Sequence, residues 1–539
     1  MNSPSASMSL LLGYLVVLAS AVVAIAARGG RARAWLAAPL VAIVGAIGAA
    51  CVGGLSLALL ERSAAMPLPR TLGVGTMGAA LILAGALVGV WLTPRPRGDR
   101  FKRGATLDPT GSSRSDATEK PSGLPFAGIR LAEADETKHF KLIGTTGTGK
   151  STAIRALLEA ALARGDRAVF ADPDGGYLAR LHDAARGDVI LNPFDARSLA
   201  WDPFSELRAP HDYDQLARSL VGEGSGAEES WRGYAQTLVS ALLRRTHGLE
   251  CRSVGELHRL LTAASHEELR VLLEGSAAQP FLDPGNERMF GSIRAVASTH
   301  TAALGYLSLQ RTAAFSVRDW VASGTGALFL PYQADQIAAL RTMISTWLRI
   351  AIFQTMSLGE GDRRIWFVID ELDAIGAIDG LKDALARLRK FGGCCVLGFQ
   401  SIAQVSALYG NSDAQTIVEN CANTLILRCS ASEQGGTARF AARLIGEREV
   451  VRENVSYSAG SHGRRLGGST SVSHQHVVEP LVLPSEIERL ADLAGYAKTA
   501  SRPGWVRVEL GDARSAGLRA RSSSRAPWGS GSGPRARSP

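Results

Sequence analysis

Cysteine is scarce and unpatterned. The six cysteines among 539 residues (Cys51, Cys251, Cys394, Cys395, Cys421 and Cys429) form no metal-ligand spacing and no disulfide framework. That excludes a disulfide-stapled secreted fold and a zinc module, and it suits a reducing cytosol. Cys394 and Cys395 are adjacent in an apolar run, which predicts a buried strand rather than a redox pair. No zinc-finger, helix-turn-helix or RNA-recognition pattern is present, so a base-reading nucleic-acid module is excluded. Charge is absent altogether from Met1 to Ala27. A basic n-region is missing there too, which argues against a cleaved signal peptide.

Two further stretches, Trp35–Leu60 and Thr71–Thr93, also lack charge. Each is long enough to cross roughly 30 Å of hydrocarbon as a helix. The expected spans are residues 8–27, 35–60 and 71–93 of a membrane region, 1–93; for the second, a membrane hairpin or a buried soluble helix is the alternative. Arginines flank them unevenly. Arg28, Arg31 and Arg33 fill the first connection, and Arg95, Arg97, Arg100, Lys102 and Arg103 follow the third. Both clusters are cytoplasmic only if three helices span and the N-terminus is outside. The body of the protein is then expected in the cytoplasm. Gly85 and Gly89 form a small-xxx-small pair suited to close helix contact. Residues 94–124, rich in Pro, Ser and Arg, read as a linker. The formal charge of +9 makes a polyanion or an anionic lipid a plausible partner.

The chemistry begins at Gly144-Thr145-Thr146-Gly147-Thr148-Gly149-Lys150-Ser151, a G-x-x-x-x-G-K-[ST] phosphate loop followed by Thr152. Glycines let the backbone turn its N–H groups inward. Lys150 is suited to the β- and γ-phosphates and Ser151 to Mg²⁺. A short apolar run, His139–Ile143, precedes the loop, and an amphipathic helix, Thr152–Arg164, follows it. The implied cofactors are ATP and Mg²⁺. The second half of such a site is Arg364–Glu371, an apolar strand ending in Asp370 and Glu371. Asp370 is the candidate metal carboxylate and Glu371 the candidate general base. A neighbouring buried strand, Cys394–Phe399, ends in Gln400, placed to touch the γ-phosphate or the attacking water.

Further strands are expected at Ala168–Ala171, Val189–Leu191, Ala327–Leu330 and Thr424–Leu427, in alternation with helices. This predicts an α/β fold with a doubly wound, mainly parallel sheet. Some 220 residues separate Lys150 from Asp370. From about Phe204 to Leu307 the strand signals give way to helical ones, so an all-helical domain, 204–307, is expected as an insert between 125–203 and 308–512. The Gly/Ser/His/Arg-rich stretch Ser456–His476 reads as a loop facing DNA or a partner, or as a plain surface hairpin. The tail, 513–539, is basic, without acids, and expected to be disordered.

Several segments together resemble one family. They are Gly144–Ser151, Arg164–Gly175 with its Asp-Pro-Asp-Gly, Val189-Ile-Leu-Asn-Pro-Phe-Asp195, Trp366–Leu372, Gly398–Ser401 and Val482–Ile487. The chain resembles the type IV secretion coupling proteins, TraD/TrwB-like conjugative ATPases, and most of all the TrwB type. The resemblance implies a RecA-like P-loop NTPase domain with an inserted all-helical domain and N-terminal transmembrane helices. It implies a hexameric ATP hydrolase at the bacterial inner membrane. That enzyme would bind DNA without sequence preference, recruit a relaxase and its relaxosome, and drive transfer into the secretion channel. It also places Arg389 as an arginine reaching a neighbouring subunit's nucleotide. Lys138 stands where relatives often carry arginine, and a lysine lacks the planar fork. An effector-protein receptor and an FtsK/HerA-like translocase are the alternative readings.

Overall fold

The computed structural model describes residues 4–27, 34–48, 70–92, 99–108, 123–222, 228–249, 252–360, 363–431, 436–460 and 467–511. The chain divides into two units, Met1–Lys102 with Val450–Val477, and Arg103–Glu449 with Val478–Pro539.

The larger unit is built on a ten-stranded sheet. Its strands in chain order are β1 (Leu107–Asp108), β2 (Phe140–Ile143), β3 (Arg167–Pro173), β4 (Val189–Ile190), β5 (Ala327–Tyr332), β6 (Ile365–Ile369), β7 (Gly393–Phe399), β8 (Asn423–Ile426), β9 (Ala494–Lys498) and β10 (Trp505–Glu509). Across the sheet they run β1-β10-β9-β8-β2-β7-β6-β3-β5-β4. From β8 to β4 every pairing is parallel. β9 is antiparallel to β8 and to β10, so the sheet is mixed at one end. β1 lies inside the stretch read as a linker and adds to β10 in parallel.

A parallel sheet is covered on both faces, and its strands read as continuous apolar runs. Alternate residues here feed two separate cores. Val169, Phe367, Ile369, Cys395 and Leu397 belong to one, and Phe170, Trp366, Val368, Cys394 and Val396 to the other. The adjacent cysteines therefore point to opposite faces, each buried, which rules out a redox pair between them. The phosphate-loop helix Lys150–Ala163 covers the second face through Ile154, Leu157, Leu158 and Ala161.

The first face carries the helices Asp212–Val221, Glu228–His247, Val254–Thr262, His266–Leu272 and Glu287–His300. Two of them start where serine caps demand it. Ser253 Oγ accepts from Glu256 N and Ser265 Oγ from Glu268 N, both at 3.1 Å. Their apolar residues share one continuous core with that face of the sheet. The long helix Ile337–Ser357 joins the two layers by polar contacts as well: Arg349 Nη1 donates to Ser219 Oγ at 2.9 Å and Thr346 Oγ1 to Ser219 O at 2.9 Å.

In the smaller unit the helices Pro4–Ala27 and Arg70–Leu92 pack together. A Cβ on Gly85 would lie 2.4 Å from Val17 O, and one on Gly89 2.6 Å from Ala24 Cβ, so this glycine pair sets how closely the two helices approach. The second apolar stretch is helical over 34–48, and its remainder, 49–60, lies outside the described residues. Among the described residues no helix is long and apolar enough to cross a membrane. Arg100–Gly104, Glu447–Gly460 and Gly467–Pro480 are the strands of a three-stranded sheet, so the described parts of Ser456–His476 are strand, and 461–466 lie outside the described residues. The tail beyond residue 511 lies outside the described residues.

His139, at the start of β2, is buried with φ +53°, a left-handed conformation uncommon for any residue but glycine. Its Nε2 lies 2.9 Å from Leu385 O, and its Nδ1 accepts from Cys395 N at 3.1 Å. Burial depresses its pKa to about 4, and Arg389 nearby adds to the effect against the pull of the Leu385 carbonyl. A folded value below the unfolded one means that stability is present above about pH 6.5 and is lost as pH falls toward 4. The full loss is on the order of 3 kcal/mol. His139→Asn, which tolerates the backbone conformation, is expected to remove most of that acid-dependent component. Chemical denaturation at pH 7 and at pH 4.5 checks it; an unchanged difference between the two pH values would place the acid sensitivity elsewhere.

Candidate nucleotide site

Strand register places the site. Ile143 pairs Phe399, Leu397 pairs Ile369, and Ile369 pairs Ala171. The next residues, Gly144, Gln400, Asp370 and Asp172, therefore leave the sheet along one edge, at the C-terminal ends of parallel strands where ligands of such sheets bind.

The loop 144–149 turns on glycine. Gly149 has φ +115°, and a Cβ there would meet Leu493 Cδ2 at 2.8 Å and Leu510 Cδ1 at 3.0 Å. Three threonines hold the loop's shape. Thr145 N donates to Arg428 O at 2.9 Å, buried Thr148 donates through Oγ1 to Thr145 O at 2.7 Å, and Thr146 Oγ1 donates to Gln400 Oε1 at 2.9 Å. Thr152, the third residue of the helix, accepts through Oγ1 from Arg155 Nη2 at 3.2 Å.

Lys150 is 6% exposed and folds back over the loop, donating to Gly144 O at 2.6 Å. Burial lowers its pKa, and the carboxylates of Asp370 and Glu371 pull the other way. An ammonium held dry among backbone carbonyls draws further negative charge, which phosphate oxygens supply. Ser151 Oγ donates to Asp370 Oδ2 at 2.5 Å. Asp370 Oδ1 is buried and has no hydrogen-bond partner among the described residues. An orphaned carboxylate oxygen beside a hydroxyl, both oxygen donors, fits Mg²⁺.

Glu371 is half buried, and Gln400 Nε2 donates to its Oε1 at 3.1 Å. Burial, reinforced by Asp370 and Asp373, raises its pKa, and the Gln400 amide partly offsets this. A carboxylate with raised proton affinity at the mouth of a phosphate loop suits proton acceptance from water.

The structure thus brings Thr146, Lys150, Ser151, Asp370, Glu371 and Gln400 together. It does not bring Arg389 to them. Arg389 is exposed in the turn Arg389–Phe391 that precedes β7, whereas Gln400 follows the other end of that strand. Six residue steps along a strand separate the two ends by roughly 20 Å. Lys138 lies at the same far end, its Nζ on Asp135 Oδ1 at 2.8 Å.

Two residues of the site were not singled out in the sequence. Asp172 is fully buried at the tip of β3 and accepts from Tyr177 N at 2.9 Å and Leu178 N at 2.7 Å. Burial raises its pKa to about 6 against those donors. The signal was available, since an apolar strand ending in an acid is the pattern that singled out Asp370. Tyr177 is 2% exposed and donates through its hydroxyl to Asp370 Oδ2 at 2.7 Å. Nothing local in the sequence marks it.

A family model described as the type IV secretion-system coupling protein DNA-binding domain matches residues 124–511. The chain is 34% identical over 385 residues to the coupling protein TraD of Escherichia coli (strain K12), covering 70% of this chain and 53% of TraD. It is 29% identical over 178 residues to the type IV secretion system-coupling protein VirD4 of Bartonella quintana (strain Toulouse), covering 32% and 26%. It spans about half the length of the first curated relatives it matches. Among solved structures, the bacterial conjugative coupling protein TrwBdeltaN70 superimposes with a TM-score of 0.69 at 32% identity, covering 76% of this chain and 93% of that one. The plasmid coupling protein TrwB in complex with ADP and Mg²⁺ gives 0.68 at 32% identity, covering 76% and 94%.

Proposed function

The chain belongs to the type IV secretion-system coupling proteins, and we propose that it is a conjugative coupling ATPase, hydrolysing ATP to drive DNA into a secretion channel. One observation carries the reading. The loop, the metal carboxylate, the candidate base and the amide converge at the C-terminal edge of the sheet, inside the segment that the family model covers.

Chemically, the loop N–H groups and Lys150 bind the β- and γ-phosphates. Ser151 and Asp370 would hold Mg²⁺, which would supply screening of the phosphate charge. Glu371 takes a proton from the attacking water, and Gln400, hydrogen-bonded to both Glu371 and Thr146, links the base to the loop that grips the phosphates. Since Arg389 cannot reach its own loop, it serves the site of a second copy. That geometry supports a ring, and by family a hexamer.

The proposed partners are DNA gripped by its phosphates, a relaxase within its relaxosome, and channel components at the inner membrane. The helices Pro4–Ala27 and Arg70–Leu92 are the proposed anchor, supported by exposed apolar side chains such as Leu11, Leu12, Val23, Leu83 and Leu87 and by the arginine clusters beside the uncharged stretches.

Glu371→Gln tests the reading. It removes the base and keeps an amide in the same space. Turnover is expected to fall by about 10²–10⁴-fold while ATP binding persists. In a mating assay that scores DNA and protein transfer separately, DNA transfer is expected to fall with it. Unimpaired DNA transfer would refute the coupling role, and loss of protein transfer alone would favour an effector receptor.

A further inference from the structure

The Asp-Pro-Asp-Gly turn after β3 has no part in the chemistry above, yet it sits beside the metal carboxylate. Asp172 uses both oxygens to fix a backbone, Oδ1 on Tyr177 N and Oδ2 on Leu178 N. Asp174 N donates to Tyr332 O at 2.8 Å, tying the turn to the tip of β5. Tyr177 is thereby held with its ring stacked on Phe170, centroids 5.4 Å apart and planes 25° apart. Its hydroxyl then meets Asp370 Oδ2, which already receives Ser151 Oγ.

Asp370 is therefore gripped at one oxygen by two hydroxyl donors from different elements. Its other oxygen is buried and bare among the described residues. On that side β7 carries Gly398, where a Cβ would lie 2.3 Å from Asp370 O and 2.9 Å from Asp370 Oδ1. Only glycine admits β7 this close to Asp370. One oxygen of the carboxylate is clamped by hydroxyls and the other is packed against β7.

We propose that Tyr177 is a positioning residue for the metal carboxylate: held by Asp172, it fixes the rotamer of Asp370 beside Ser151, where the two side chains would hold Mg²⁺, with Gly398 admitting the carboxylate against β7. The proposal rests on the nucleotide-site reading above. Its content is that the turn after β3 sets metal affinity rather than phosphate affinity.

The test is a titration of the full-length chain in detergent with a fluorescent ATP analogue, first in EDTA and then with added Mg²⁺. Tyr177→Phe keeps the ring on Phe170 and removes only the donor. Its nucleotide affinity in EDTA is expected to stay within about twofold of wild type. The Mg²⁺ concentration for half-maximal effect is expected to rise about tenfold, the scale of one lost hydrogen bond to a charged group. Asp172→Asn loosens the hold on the backbone of Tyr177 without touching Asp370 and is expected to shift Mg²⁺ dependence in the same direction; it decides the matter if Tyr177→Phe does not fold. A Mg²⁺ midpoint unchanged in the variant overturns the proposal while leaving the nucleotide site standing. Equal weakening in EDTA and in Mg²⁺ also overturns it, since the hydroxyl would then be holding the whole pocket. A wild-type chain that binds no nucleotide overturns the site itself, and the proposal with it.

Discussion

Lys150→Ala is expected to lose at least about 10³-fold in ATP turnover while retaining DNA binding. The scale is that of removing a donor aimed at developing charge in a site shielded from water. Two features of the structure set it high. The ammonium is 6% exposed and its pKa is lowered by burial, so it already lacks hydration and interacts strongly with whatever anion replaces the Gly144 carbonyl. It also interacts with the carboxylates of Asp370 and Glu371, so its loss leaves those negative charges near the phosphates less compensated. Phosphate-backbone contacts to DNA form a separate, salt-dependent term that does not need this lysine. ATPase assays and filter binding at several salt concentrations read the two independently. Turnover within tenfold of wild type would refute the assignment of Lys150, and parallel loss of DNA binding would show that the grip on DNA requires a loaded site.

How far the fold was legible follows from which residues announce themselves locally. β3, β5, β6 and β7 are short apolar runs bounded by polar residues, and each was readable because a parallel strand buried on both faces has no polar alternation to blur it. The helices of the insert were readable because helical signals replace strand signals over that stretch. β9 escaped because Ala494-Gly-Tyr-Ala-Lys498 has little apolar weight and owes its place to β8; β10, Trp505-Val-Arg-Val-Glu509, carried an alternating strand signal that was not singled out. β1 escaped because a two-residue strand carries no period. At the site, the loop and Asp370–Glu371 follow from motif and flank. Tyr177 does not, since its role depends on a contact 193 residues away that only the sheet register creates.

The same register makes Arg389 the sharpest test of assembly. Arg389→Ala is expected to cut turnover by about 10³–10⁵-fold, the range for an arginine supplied to a phosphoryl-transfer site. Nucleotide affinity is expected to change little. The far end of β7 is where the residue stands, roughly 20 Å from Gln400, so an effect of that size cannot arise within one copy of the chain. Three consequences follow from one geometry. Turnover per subunit of wild type should rise with protein concentration as sites are completed by neighbours. Arg389→Ala alone should stay flat across the same range. Mixing Arg389→Ala with Lys150→Ala should restore part of the activity, because a loop from the first variant then meets an arginine from the second. A merely structural role predicts otherwise: His139 bonds the helix Leu381–Leu388 that leads into Arg389, and a disturbance there would lower the stability of Arg389→Ala without complementation. Mixtures no more active than the sum of their parts would assign the arginine to folding and leave each nucleotide site complete within its own chain.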